Sequence, residues 1–331
     1  MKIIAEIAQA HDGSLGIAHS YIDALAKTGV SAVKFQTHIA DAESSDFESF
    51  RINFSYEDQT RFDYWKRMEF TEEQWIGLKR HCDDVGLEFI SSPFSIAAVE
   101  LLEKVGVKRY KIGSGETQNF LMLDAIAKTG KDIWLSTGMS SFSELDETLK
   151  FLDSYTNSKV IFQCTTEYPT QPHTWGLNVI TELQHRYNLP VGFSDHSGDI
   201  YACLAAATVG ASYFEFHAVF DKTMFGPDAK ASLTMKQIKQ LVQGIQEIET
   251  ALNNPVDKND VEKYASNKQL FGKSLAVRKS LAAGHVIQIE DLESKKPGNC
   301  GISAKEYQKI LGRKLLVDKQ MGEFLNIEDI E

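Results

Sequence analysis

VGFSDHS (191–197) and YFEFH (213–217) each open on a short apolar run and end in chemically capable side chains: Ser194, Asp195 and His196 in the first, His217 in the second. Six earlier runs have the same form. Ile3–Ile7 leads to Gln9 and His11, Ala32–Phe35 to Gln36, Thr37 and His38, and Leu87–Ile90 to Ser91 and Ser92. Tyr110–Ile112 leads to Ser114 and Glu116, Ile133–Leu135 to Ser136 and Thr137, and Val160–Phe162 to Cys164, Thr165 and Thr166. A strand buried on both faces reads as a short apolar run, and a parallel strand needs a helical crossover to reach its neighbour. Eight such units predict an α/β protein with a closed (β/α)8 barrel, whose active site lies at the C-terminal ends of the strands. The polar clusters occupy those ends.

Helical stretches fall between the runs. Ile17–Ala26 carries Ile17, Ala18, Tyr21, Ile22 and Leu25 on one face, and Thr71 is placed to cap a helix that ends before Gly86. Gly29, Gly86, Gly106, Gly130 and Gly210 each follow a helix and precede a strand, where a left-handed cap is favoured. The connection from His38 to Phe70 is long and rich in aromatics (Phe47, Phe50, Phe54, Tyr56, Phe62, Tyr64, Trp65), which fits a lid or partner contact or a folded-down insertion. The predicted organisation is a TIM barrel over 1–253, a polar linker over 254–268 and a small β-rich domain over 269–331. Within that tail, Ala283–Leu292 echoes Met321–Ile330, with Gly284/Gly322, Ile289/Ile327, Glu290/Glu328 and Asp291/Asp329 in one register, which suggests pseudo-symmetry.

The 331 residues carry a formal net charge of −11, which argues against nucleic acid or an anionic membrane as a partner. Cys82, Cys164, Cys203 and Cys300 are widely spaced, which suits a reducing compartment better than a disulfide framework. A strand beginning by residue 3 leaves no room for a signal peptide, and no apolar run reaches a membrane span, so a cytoplasmic location is expected.

Alternation along the last strand puts Glu215 and His217 on one face. Adjacent barrel strands then bring His196 and His217 toward a common point at the mouth, where two imidazoles and open positions suit a catalytic divalent metal. Lys34 and Lys111 stand inside strands, where a lysine must face an anion. That anion is either an internal carboxylate such as Glu6 or a bound phosphate or carboxylate. Ser92, Ser114, Ser136, Thr166 and Ser194 add hydroxyl donors at the same level, so the joint pattern describes a phosphate pocket, with structural ion pairing of the lysines as the alternative. His11 and His38 lie at the mouth and are candidates to hydrogen-bond a substrate. No GxGxxG or Walker loop and no Gly-x-Ser-x-Gly elbow is present.

The ordered set IAEIAQAHDGS (4–14), AVKFQTH (32–38), FISSPFS (89–95), YKIGSGE (110–116), LSTGM (135–139), CTTEYPT (164–170), GFSDHS (192–197) and GPDAKASL (226–233) resembles the sialic acid synthase family. KKPGNCGIS (295–303) resembles its antifreeze-like (SAF) domain. The resemblance spans the chain. It implies condensation of phosphoenolpyruvate with an open-chain N-acylated hexosamine, with release of phosphate, in the presence of a divalent metal, usually Mn2+ with Mg2+ or Co2+ as alternatives. By that resemblance His196 and His217 are the metal ligands, and Lys34, Lys111, Ser92, Ser114, Ser136 and Ser194 form the phosphoenolpyruvate pocket. Glu6 and Gln36 lie near the reacting carbons, and Thr166 stands where some relatives carry asparagine. Glu116, Tyr168 and Asp228 lie on the sugar side. A homodimer is also implied, each SAF domain capping the partner's barrel. Lys296 stands where better-known relatives carry a sugar-reaching arginine, so the acceptor is either N-acetylmannosamine or a modified hexosamine such as one leading to legionaminic acid. A phosphoenolpyruvate-dependent keto-acid synthase acting on another aldose, or a non-catalytic sugar-binding barrel, are the competing readings.

Overall fold

In the computed structural model, which describes residues 1–52 and 54–331, eight parallel strands close on themselves. They are β1 (Lys2–Glu6), β2 (Ala32–Thr37), β3 (Glu88–Pro93), β4 (Arg109–Ile112), β5 (Asp132–Ser136), β6 (Lys159–Cys164), β7 (Val191–Asp195) and β8 (Tyr213–Val219). Each pairs with the next, and β8 returns to pair with β1; β9 (Leu233–Thr234) adds a short ladder to the end of β8. Between them run α1 (Leu15–Ala26), α2 (Ala40–Glu43), α3 (Arg61–Met68), α4 (Glu72–Asp84), α5 (Ile96–Val105), α6 (Phe120–Ala127), α7 (Phe142–Leu152), α8 (Leu177–Tyr187) and α9 (Tyr201–Thr208), and α10 (Met235–Asn253) follows β9. Thr71 caps α4 as expected, its hydroxyl accepting from the Gln74 amide. Gly106 caps α5 in the left-handed conformation at φ 81°. Among the described residues no helix is long and apolar enough to cross a membrane.

Strand alternation divides the interior in two. Ile3, Ala5, Val33, Phe35, Tyr110 and Ile112 face the helices and belong to the large core between sheet and helical ring. Ile4, Ala32, Ile90, Trp134, Val160 and Phe162 face inward and fill the barrel as a separate apolar plug. Above that plug the inward positions turn polar: Glu6, Lys34, Lys111 and Glu215 are all at most 3 % exposed. Most of the strands run further into their polar ends than the apolar runs do. Gln36 pairs with Ser92 and Glu6 with His217 in the ladders, so the backbone stays extended where the side chains have already changed character.

The 38–70 connection is folded. Tyr64, Trp65 and Met68 of α3 and Ala40 of α2 form a small buried cluster, with Phe50, Phe54 and Phe62 packed on it. Phe47 and Tyr56 remain almost fully exposed.

The chain divides into compact units Met1–Asn254 and Pro255–Glu331. In the second, α11 (Ala265–Phe271) precedes the antiparallel pair β10 (Ser274–Val277) and β11 (Leu292–Lys295), over a core of Leu275, Val277, Leu281, Ile287, Ile310, Leu315, Leu325 and Ile330. The internal echo is structural. Gln288 and Asn326 each begin a 3-10 turn closed by a capping box, with Asp291 and Asp329 as the reciprocal partners. Each aspartate also meets a lysine, Lys279 at 2.8 Å and Lys319 at 2.6 Å. Burial works against the Asp291 charge, but Lys279, His285 and the Gln288 amide outweigh it and hold the carboxyl down at about 2. A carboxyl depressed on folding stabilises above its unfolded value and loses that contribution as pH falls through the folded one. The second unit is therefore expected to lose about 2 kcal/mol between roughly pH 5 and pH 2, less whatever solvent screening of the exposed Lys279 removes. Hydrogen exchange of residues 274–331, corrected for intrinsic rates, should show this loss in the wild type and a clearly smaller one in Asp291→Asn, where Asp329 with Lys319 still contributes; equal profiles would refute it.

Candidate active site

The closure of the barrel brings four ionisable side chains into one layer. Glu6 lies opposite Lys34 in the β1–β2 ladder and opposite His217 in the β8–β1 ladder. Lys34 donates to Glu6, and its Nζ lies 3.3 Å from Ser92 Oγ and 3.9 Å from Glu215 Oε1. Lys111 Nζ lies 3.1 Å from Glu215 Oε1 and donates to Ser136 Oγ at 2.5 Å. Ser194, opposite Glu215 in the β7–β8 ladder, donates to the same Oε1 at 3.0 Å. Gln36 Nε2 donates to Glu6 at 2.7 Å, and Gln9 donates in turn to Gln36. Burial raises the Glu6 carboxyl, but Lys34, His217 and Gln36 outweigh it and hold it well below the usual carboxylate range. For Lys34 burial pulls the ammonium down, and Glu215 with Glu6 outweighs that pull. Two ammonium and two carboxylate groups thus stabilise one another out of water.

One atom in this layer is left over. Glu215 Oε2 is buried and has no hydrogen-bond partner. Glu215 was read from the sequence only as a face-mate of His217. Its role as the anion that both lysines share was missed, because that convergence depends on strands far apart in sequence.

Above the charged layer sit His196 and His217, both buried, with ring centroids 5.3 Å apart. His196 Nδ1 lies 3.0 Å from the Thr165 carbonyl oxygen, which only accepts, so Nδ1 carries a proton and Nε2 is the free nitrogen of the neutral ring. His217 Nε2 lies 3.4 Å from Glu6 Oε2. Burial lowers His217 below its ordinary value, leaving it neutral and able to ligate. For His196 burial also pulls down, but Cys164 at 3.9 Å, the Thr165 carbonyl and Glu6 raise it to about 9. A ring raised in this way must give up its Nε2 proton before it can ligate, and a divalent ion would displace that proton on binding. The pair fits such an ion. Among the described residues no three His, Cys, Asp or Glu side chains form a ready cage, so two imidazoles leave most positions to substrate and water.

Beside His217 lies a cavity of about 380 Å3. Gln36, Ser114, Glu116, Thr166, Tyr168, His217 and Asp228 line it, together with Gln9, His38, Arg51 and Arg61. Ser114 Oγ accepts from the Gly138 amide at 3.2 Å, and a Cβ at Gly138 would fall 2.4 Å from Thr166 Oγ1, so glycine is what lets these two hydroxyls converge. Glu116 accepts from Asn119, and burial raises its carboxyl. Tyr168 stacks on His196 at 4.1 Å between ring centroids. Lys296 belongs to the second unit, where its ammonium lies 5.1 Å from the Phe271 ring centroid.

The two other mouth histidines already have structural partners. His38 is sandwiched between Trp65 and Phe94 and meets Glu43 at 2.6 Å. His11 Nδ1 accepts from the Gly13 amide at 3.1 Å. The nearby Glu43 was the available signal for His38. Arg51 and Arg61 carried none, because they fall within an aromatic-rich stretch that reads as insertion.

Known proteins resemble this chain along its length. The NeuB family model matches residues 21–257 and the SAF domain model residues 272–331. The chain is 33% identical over 317 residues to the N,N'-diacetyllegionaminic acid synthase of Campylobacter jejuni, covering 94% of each protein. It is 30% identical to the human N-acetylneuraminate-9-phosphate synthase over 321 residues, 95% of this chain and 88% of that one. The solved N-acetylneuraminic acid (sialic acid) synthetase of Leptospira borgpetersenii superposes with a TM-score of 0.71 at 27% identity, over 81% of this chain and 92% of that one. Both parts of the chain are thus matched, and the chain belongs to the NeuB family, with a C-terminal SAF domain.

Proposed function

We propose that this chain is a nonulosonic acid synthase, condensing phosphoenolpyruvate with the open-chain form of an N-acylated hexosamine. In that reaction C3 of phosphoenolpyruvate bonds to the sugar aldehyde carbon, water adds at C2, and the C2–O bond breaks to release phosphate. The observation that carries the reading is the buried layer of Lys34, Lys111, Glu6 and Glu215 directly beneath two imidazoles at the mouth of a cavity. Lys34, Lys111 and the hydroxyls of Ser92, Ser136 and Ser194 would hold the phosphate and carboxylate, with Ser114 and Thr166 closing the same pocket. Glu6 Oε2, facing His217, is the candidate atom for relaying a proton, and Gln36 holds its other oxygen in place. Glu116, Tyr168 and Asp228 would face the sugar.

The layer is formally neutral, so a strongly anionic donor adds charge that its own residues do not balance. A divalent ion on His196 and His217, Mn2+ in the first instance, would supply the balance together with Lewis acidity toward the aldehyde oxygen. The same reading includes a homodimer in which the SAF domain completes the partner's barrel, with Lys296 near the acceptor, and a cytoplasmic site of action supported by four unpaired cysteines.

Phosphate release from phosphoenolpyruvate, measured with Mn2+ across a panel of aldoses, tests the reaction. Turnover should be confined to N-acylated hexosamines. Turnover only with a non-acylated aldose, or with none, would sink the reading.

A further inference from the structure

Arg51 comes from the folded insertion between β2 and α3, yet it ties together three separate loops at the cavity mouth. Its guanidinium lies 4.2 Å from the Tyr168 ring centroid, and the Tyr168 ring is itself stacked on His196. Its Nη2 donates to Asp228 Oδ1 at 2.9 Å, in the loop that follows β8. Going outward from the floor, the order is therefore His196, Tyr168, Arg51. Among the described residues Asp228 is the one hydrogen-bonding partner of Arg51. A guanidinium has five N–H donors in a planar fork, so most of them are free. The side chain is 43% exposed and lines the cavity, which gives those donors access to a bound molecule.

We infer that Arg51 is a specificity-determining residue for the acceptor, donating to a carbonyl oxygen on the half of the open-chain sugar remote from the aldehyde. The inference rests on the acceptor being an N-acylated hexosamine, as proposed above. The aldehyde must lie at the floor, beside the imidazoles and above the lysines. An extended six-carbon chain then passes Tyr168 and brings its far carbons under Arg51. The charge of Arg51 is already matched by Asp228, and the neighbouring Arg61 lies 3.4 Å from Glu48. A wall whose charges are matched in this way suits a neutral amide better than a phosphate. The preferred acceptor is thus a hexosamine with a second acylamino group on its far half, rather than a mono-acylated or phosphorylated one.

The experiment compares wild type, Arg51→Ala and Arg51→Lys on three acceptors: mono-N-acylated, di-N-acylated and phosphorylated mono-N-acylated hexosamine. Wild type should favour the di-acylated sugar. Arg51→Ala should lose on the order of 10- to 100-fold in kcat/KM on that sugar, chiefly through KM, and much less on the mono-acylated one. Arg51→Lys, which keeps the charge without the fork, should fall between them. Equal losses on all acceptors, or a matching rise in KM for phosphoenolpyruvate, would mean that Arg51 merely holds the loops, and the inference fails. A wild type that prefers the phosphorylated acceptor, with Arg51→Ala losing most on it, also overturns the inference. If wild type turns over none of the three, the proposed reaction falls first. Calorimetric binding of the same sugars to wild type and Arg51→Ala then decides Arg51 separately, equal affinities refuting it.

Discussion

Replacing His217 with alanine is expected to lower turnover by about three orders of magnitude or more while leaving the barrel folded. The ring is 4% exposed and sits above the charged layer, outside both the core beneath the helices and the inner plug. Glu6 lies 3.4 Å from it, and Glu6 keeps Lys34 and Gln36 when the imidazole goes. The fold therefore loses little. The site loses one of the two imidazoles proposed to hold an ion at the mouth, and it loses the ring that faces Glu6. Three measurements together check this: turnover with Mn2+, metal retained after desalting, and far-UV circular dichroism. Unchanged turnover in a folded variant would refute the metal assignment. Lost turnover with full metal retention would reassign His217 from ligand to a purely positioning role.

Much of this site could be read before any fold was known, and for a definite reason. Parallel strands leave the barrel at one end, so polar residues that close each apolar run share a rim without any knowledge of side-chain packing. Ser92, Ser114, Ser136, Thr166, Ser194, His196 and His217 were legible in that way. What stayed hidden depends on distance in sequence. Glu215 gathers Lys34 and Lys111, separated from it by more than a hundred residues, only because β8 pairs back onto β1 and the interior closes. Arg51 was hidden for another reason. Its neighbours Phe47, Phe50 and Phe54 read equally as a lid or as packing. The structure divides them, with Phe50 and Phe54 in a small core and Phe47 in solvent, so that the insertion is both folded and a wall of the cavity. His38 lines the cavity as its place at the rim suggested, and its ring is also held by Trp65 and Phe94, with Glu43 at Nδ1.

Lys111→Met is expected to destabilise the protein by about 3 to 5 kcal/mol and to lower turnover by about 10²- to 10³-fold, and the two losses have separable causes. Methionine keeps most of the volume, so the packing term is small, although the ammonium's contact with the Phe162 ring at 4.8 Å is lost. The charge term is large. Glu215, 2% exposed and with Oε2 already unpartnered, would be left with Ser194 and with Lys34 at 3.9 Å. An uncompensated buried carboxylate accounts for the stability loss. If Lys111 were only a structural counterion, removing the carboxylate as well should repair everything. Glu215→Gln in the Lys111→Met background is therefore the discriminating variant: it should recover much of the stability, because the remaining Lys34 and Glu6 pair is balanced. It should not recover turnover, because the ammonium that meets the donor's phosphate or carboxylate is still missing. Thermal unfolding and kcat/KM for phosphoenolpyruvate, measured on both single variants and the double, form the cycle. Recovery of turnover along with stability would make the lysines a structural ion pair and remove the anion pocket from the mechanism. Recovery of stability alone assigns Lys111 to the donor, with Glu215 the internal anion that both lysines share until the donor arrives.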